Sequence, residues 1–143
     1  MNEKANENSW IPLIVVACAS FIIVLDSFFM NVSISRIVVD LNTDVSTIQM
    51  IVSFCTLITA ALILFSTKLQ DIVGKKKLFL IGTALYGVGT FTAAVSTSAT
   101  MLFIGWAVIE GIAGALMMPA TVSIISGTYS GDKRTVALAI VGV

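Results

Sequence analysis

An all-α, polytopic membrane helix bundle of four spanning helices and the start of a fifth is the fold class this sequence predicts, and three observations predict it. Hydrophobic residues make up 57% of the 143 positions and charged ones 11%, with a mean hydropathy of +1.03, whereas a soluble domain carries about 25% charge. The apolar residues gather into segments long enough to cross a bilayer, which takes about 20 residues of helix. Four of the eight basic residues then crowd into ten positions, Lys68 to Lys77, between two apolar stretches. Short loops rich in Lys and Arg stay on the cytoplasmic side, so this cluster reads as an inside loop from which the other spans can be counted.

The polar leader Met1 to Ser9 is expected to form a cytoplasmic tail. The apolar segment after it is too long for a signal-peptide core and lacks a clear small-residue cleavage site, so it reads as a retained span. That first span covers about Trp10 to Ile37, and Trp10 lies at the depth of an interfacial anchor. Arg36, Asp40 and Asp44 follow it in an outer loop. The second span covers about Val45 to Thr67, and after the basic loop the third covers about Leu78 to Val95. A neutral outer loop, Ser96 to Thr100, leads to the fourth span, about Met101 to Ser126, with Tyr129 expected as an anchor at its inner end. Asp132, Lys133 and Arg134 form the next inside loop, and a fifth span starts near Thr135. Its residues to Val143 would rise only about 13 Å against a hydrocarbon core of roughly 30 Å. This alternation of basic excess places the amino terminus in the cytoplasm and makes the localisation a cell membrane.

The composition excludes other classes. Net charge is zero and no basic stripe is present, so a nucleic-acid partner has no electrostatic footprint. The chain has no His, and Cys18 and Cys55 each sit alone in an apolar run; they read as small apolar residues, with no metal or cofactor site implied. Asn31-Val32-Ser33 matches a glycosylation acceptor but lies within a span, out of a transferase's reach. No enzyme chemistry is visible.

Two carboxylates stand inside spans. Asp26 lies 16 residues beyond Trp10, or about 24 Å at helical rise, and Glu110 lies about 14 Å into the oppositely directed fourth span. Both therefore come near the bilayer midplane. An ionised acid at that depth costs about 2.5 kcal/mol or more, so it should face protein or a watery cavity, and such residues mark ion or substrate paths. The alternative is a neutral acid hydrogen-bonded to a neighbouring helix as packing glue. No basic residue lies in the interior of any span, so at least one of the two acids is expected to be protonated at neutral pH and to exchange its proton with water. Ser27, Asn31 and Ser35 make a polar stripe beside Asp26, which serves either transport or interhelical hydrogen bonding. In span four Ala107, Gly111 and Ala115 recur every four residues, a small-residue stripe that lets helix backbones approach in lipid. Pro119 should kink the helix towards its inner end, and Met117-Met118 line either a tolerant binding surface or plain packing.

With spans and acids placed, the motifs can be compared with a known pattern. Thr67-Lys68-Leu69-Gln70-Asp71-Ile72-Val73-Gly74-Lys75-Lys76 resembles the G-x-L-x-D-x-x-G-R-K signature between spans two and three of the major facilitator superfamily. Asp71, Gly74 and the pair Lys75-Lys76 match, while Thr67 replaces the first Gly and Lys75 the Arg. Leu25-Asp26 with Asn31-Val32 resembles the L-D-x-x-x-x-N-V-A-L-P motif of proton-coupled drug antiporters, in particular the fourteen-span branch, with Ser35 in place of Pro. Glu110-Gly111 through Ala115 looks like the R-x-x-Q-G-x-x-x-A motif linked there to proton coupling. Its arginine position is Ala107, which leaves Glu110, one turn along, to share that role.

The resemblance implies the amino-terminal part of a longer transporter, with inverted three-helix repeats that make spans one and four partners. It further implies alternating access driven by a proton gradient, small or hydrophobic compounds as substrates, a gating role for Asp71 against the missing half, and export, the last inferred from the first-span motif alone. Asp26, Glu110 and Asn31 become the transport residues. The expected partners are the lipid bilayer, the substrate, and a remaining transporter half or partner chain. Two other readings stay open: a small four-span exporter acting as a dimer, and a non-transporting membrane subunit.

Overall fold

Pro12 sets the start of the first helix, because a proline in the first turn lacks only an N–H that would have had no partner there. In the computed structural model, which describes residues 10–142, α1 runs Ile11–Asp40, α2 Val45–Val73, α3 Lys75–Ala94, α4 Ala99–Thr128 and α5 Gly131–Val141. The expected tail, Met1 to Ser9, lies outside the described residues. The first four helices are each long and apolar enough to cross a membrane, and no strand occurs among the described residues.

Each connection has a local cause. Asn42 takes a positive φ of 48° after α1, a conformation that Asn tolerates better than most residues. Asp44 then caps α2: its Oδ2 accepts from the Thr47 N–H at 3.0 Å and its Oδ1 from the Thr47 hydroxyl at 2.6 Å. Ser98 caps α4 by accepting from the Met101 N–H at 3.2 Å. Between α2 and α3 a single residue, Gly74, makes the whole turn at φ 92°.

This corrects the basic inside loop read from the sequence. Lys68 to Val73 are the last turns of α2 and Lys75 to Lys77 the first turn of α3, so the cluster is a helical corner. Only glycine adopts that φ without strain, and charge density carries no sign of it. Arg36 and Asp40 likewise belong to α1, paired at 3.2 Å one turn apart, and Asp132 to Arg134 open α5. Tyr129 is also corrected. It is 5% exposed and faces the Trp10 ring at a centroid distance of 6.4 Å, so it packs inside the bundle while Trp10 stays half exposed.

The basic residues at the α2–α3 corner and at the α4–α5 connection meet at one end of the bundle, where the Lys75 amine donates to the Ser123 carbonyl at 3.1 Å. The side chain reaches across Gly127, whose missing Cβ leaves its path open. Two apolar clusters make up the interior. The one nearer the basic end centres on Val16, Phe79, Tyr86, Met117 and Ile125; the other centres on Met30, Ile48, Leu102 and Trp106. α4 supplies residues to both and packs against α2 and α3, with glycines setting the closest approaches. A Cβ on Gly105 would come within 2.8 Å of the Ala93 backbone nitrogen, and one on Gly89 within 2.9 Å of the Gly105 carbonyl. The helix continues through Pro119 to Thr128.

Candidate functional site

Asp26 on α1 and Glu110 on α4, 84 positions apart in sequence, line one cavity of about 440 Å³ at the seam between the two apolar clusters. Cys55 and Thr59 of α2, Tyr86 of α3 and Trp106 of α4 complete its polar and aromatic wall. An adjoining cavity of about 360 Å³ shares Ile23, Ile63 and Met118 with it and runs past Pro119 to Val141 of α5. The two cavities therefore lie side by side, the second displaced from the acids toward the basic end.

Local helix geometry sets how α4 enters this site. Phe103 to Glu110 is wound as π-helix, a form found frequently at functional sites. Within it Trp106 and Glu110 both face the cavity, and Gly105 brings this stretch onto α3. The Trp106 indole N–H donates to Asp26 Oδ2 at 2.7 Å, linking α4 to α1. Glu110 is 4% exposed; its carboxyl lies in the electrostatic range of Asp26 and beside Tyr86 and Thr90. The Glu110 carboxyl and the Thr90 hydroxyl are buried next to one another, within hydrogen-bonding reach.

The remaining sequence-selected residues divide by place. Asn31 lines the same cavity, and its side-chain N–H donates to the Ser27 carbonyl at 2.8 Å; Ser27 is also on the wall. Ser35, the third member of the stripe, is not among the lining residues. Met118 lines both cavities, whereas Met117 is buried against Gly82. Ala107, Gly111 and Ala115 are buried, and a Cβ on Gly111 would meet the Cys55 carbonyl at 3.2 Å, so the stripe sets the approach of α4 to α2. Asp71, Gly74, Lys75 and Lys76 stand apart at the basic end; Asp71 and Lys76 are exposed and only Lys75 is drawn onto α4.

Two carboxyls share a weakly polar space whose lining contains no Lys or Arg. Mutual repulsion of two ionised groups there is poorly screened, so the cavity favours an arriving proton or the positive part of a ligand. Trp106, Tyr86, Thr59 and Thr90 escaped the sequence reading because aromatic and hydroxyl side chains are unremarkable in apolar spans. One signal was available. Trp106 precedes Glu110 by four positions, one helical turn, and a buried indole N–H needs an acceptor.

Comparison with known proteins agrees with the helical architecture. Residues 16–143 match the model of the Major Facilitator Superfamily. The riboflavin transporter RibZ of Clostridioides difficile is 26% identical over 95% of this chain and 30% of its own length. The multidrug efflux pump LfrA of Mycolicibacterium smegmatis is 32% identical over 92% of this chain and 26% of its length, and the multidrug export protein EmrB of Escherichia coli K12 is 32% identical over 91% and 25%. The chain thus spans between a quarter and a third of the length of these relatives. No solved structure matches. With the family match running from the first span to the last residue, and four spanning helices gathered around a cavity that holds membrane acids, this chain belongs to the major facilitator superfamily.

Proposed function

We propose that this chain supplies the amino-terminal spans of a proton-coupled exporter of small or hydrophobic compounds that works by alternating access in the cell membrane, with its amino terminus in the cytoplasm. The observation that carries the reading is the shared cavity: Asp26 and Glu110 face the same space beside an apolar groove. Efflux and drug-export relatives support the direction and the substrate class, and the positive-inside rule supports the orientation. Proton binding drives such a cycle only if the two access states hold the proton unequally. A pair of acids that water reaches from one side at a time provides that inequality. Asn31 contributes a neutral amide to the same wall, and the Gly74 corner, with Asp71, Lys75 and Lys76, serves as the inner hinge.

Further spans, on this or another chain, close the cavity. Ser27, Asn31 and Thr56 stand exposed on its rim, and polar side chains of this kind are characteristic of faces that pack against another helix. The 143 residues alone are therefore expected to move no substrate. A hydrophobic carbodiimide, which reacts with protonated buried acids, tests the proton exchange in lipid vesicles: labelling of at least one of Asp26 and Glu110 should fall between pH 5 and 9, and a lipophilic dye cation should slow it. Labelling of both at one rate across that range would refute the proposal, and dye transport by the chain alone would favour a small dimeric exporter instead.

A further inference from the structure

We propose that Trp106 is the positioning residue for Asp26: its indole N–H holds Oδ2, leaving Oδ1 as the oxygen that takes the proton, and so ties the protonation state of α1 to the π-helical part of α4. The inference rests on the reading of Asp26 as a proton-exchanging group.

The bond, at 2.7 Å, joins residues 80 positions apart and links α1 to α4 at the level of the acids, beside the contact between the Asp26 and Glu110 carboxyls. Trp106 is 6% exposed, so the N–H has no bulk water to turn to. An indole donates and cannot accept. It therefore binds an oxygen that carries lone pairs and repels a proton placed on that same oxygen, which assigns the proton to Oδ1. The donor is neutral, so Asp26 keeps its full negative charge in the cavity when deprotonated. A cationic donor at this level would have cancelled it, and the neighbouring Ala107 cannot donate at all.

The groups that face Asp26 come from every element around it: Cys55 on α2 lies within its electrostatic range, and Tyr86 on α3 and Glu110 on α4 come close enough to share hydrogen bonds with its carboxyl. α5 brings only Val141 and Gly142 to the adjoining groove. Unlike Cys55, Tyr86 and Glu110, Trp106 neither loses nor gains a proton, which suits it to hold geometry.

The chain contains two tryptophans, and Trp10→Phe leaves Trp106 as the single indole reporter. In lipid vesicles, emission of this variant should change in one step on titration with acid. The step should vanish in Trp10→Phe/Asp26→Asn and persist in Trp10→Phe/Glu110→Gln. Flat emission, or a step that survives Asp26→Asn, overturns the assignment. As a second measurement, Trp106→Phe keeps the ring and removes the donor; the carboxylate loses a charge-assisted hydrogen bond, and carbodiimide labelling of Asp26 at pH 7 should rise roughly tenfold. Unchanged labelling with unchanged helicity also overturns it. pH-dependent labelling with a silent indole defeats this inference alone, whereas pH-independent labelling of both acids defeats the transport reading beneath it.

Discussion

α4 and α1 are of equal length, 30 residues each, yet 56% of the apolar stretch of α4 is buried in the bundle and 22% of that of α1. The difference lies in the residues. α4 carries Gly105, Ala107, Gly111, Gly114 and Ala115, which admit α2 and α3 to close range, whereas α1 presents Phe21, Ile22, Phe28 and Phe29 outward. Two membrane acids therefore sit on unlike supports. Glu110 is fixed in the most enclosed of these helices, while Asp26 is carried by a less enclosed one and meets Trp106, Tyr86 and Glu110 across the cavity.

Breaking the central packing should have the largest effect. Gly105→Val would drive its new carbons against the Ala93 and Thr92 backbone, a clash costing about 1–3 kcal/mol. The control is Gly87→Ala on α3, where nothing lies within 4 Å of the added Cβ; it should stay within about 0.5 kcal/mol. Gly89→Ala, two residues away on the same helix, meets both the Gly105 carbonyl and the Glu110 side chain, so it should lower stability and alter Glu110 labelling together. Helicity followed through a titration of denaturing detergent in mixed micelles reads all three. Equal stability of Gly105→Val and Gly87→Ala would remove the distinction drawn between α4 and the periphery.

The next effect concerns the polar seam. The Thr59 hydroxyl of α2 lies 2.9 Å from the Cys55 carbonyl and 3.0 Å from that of Gly111 on α4. Thr59→Val keeps the shape and removes the donor, and interhelical hydrogen bonds in bilayers are worth about 0.6 kcal/mol and at most about 1.7. The same detergent titration should show a loss in that range. A similar scale applies at the basic end, where Lys75→Met removes a cation from the last turn of α4, a loss of about 0.3–1 kcal/mol. Lys76→Met, exposed on the same turn of α3, should change nothing measurable by that readout.

What the sequence disclosed follows the same division. Charge inside an apolar run is conspicuous because lipid penalises it, so Asp26 and Glu110 could be singled out, as could the number of spans. The partners of those acids were hidden: Trp106 and Tyr86 are ordinary in a span, and their use depends on which faces α1, α3 and α4 turn to one another. The small-residue stripe at Ala107, Gly111 and Ala115 could be read because its period is one turn. Gly82 and Gly89, seven apart on α3, escaped notice because their contacts lie on a different helix. The π-helical stretch has no sequence mark of the kind that Pro gives a kink, and the helical corner at Gly74 could not be told from a loop because a single positive φ completes the turn.

The smallest effect belongs to the end of the bundle opposite the lysines, at the start of α2. Hydrogen bonds from the Thr47 hydroxyl, and then from the Thr47 backbone N–H, hold the exposed Asp44 carboxyl below its ordinary range. A group whose folded-state value is depressed adds stability above its unfolded value and loses that contribution as pH falls through the folded one. The cap should therefore be fully effective at neutral pH and fade only in acid, below the usual aspartate range near 3.8. Asp44→Asn keeps an acceptor but not the charge, so its difference from the parent should be present at pH 7 and vanish in acid. Hydrogen exchange at the first amides of α2 is the measurement local enough to detect it, because global unfolding is governed by the α4 interfaces. If exchange at Thr47 in the parent proved independent of pH after correction for intrinsic rates, the carboxylate would have no part in fixing where α2 begins.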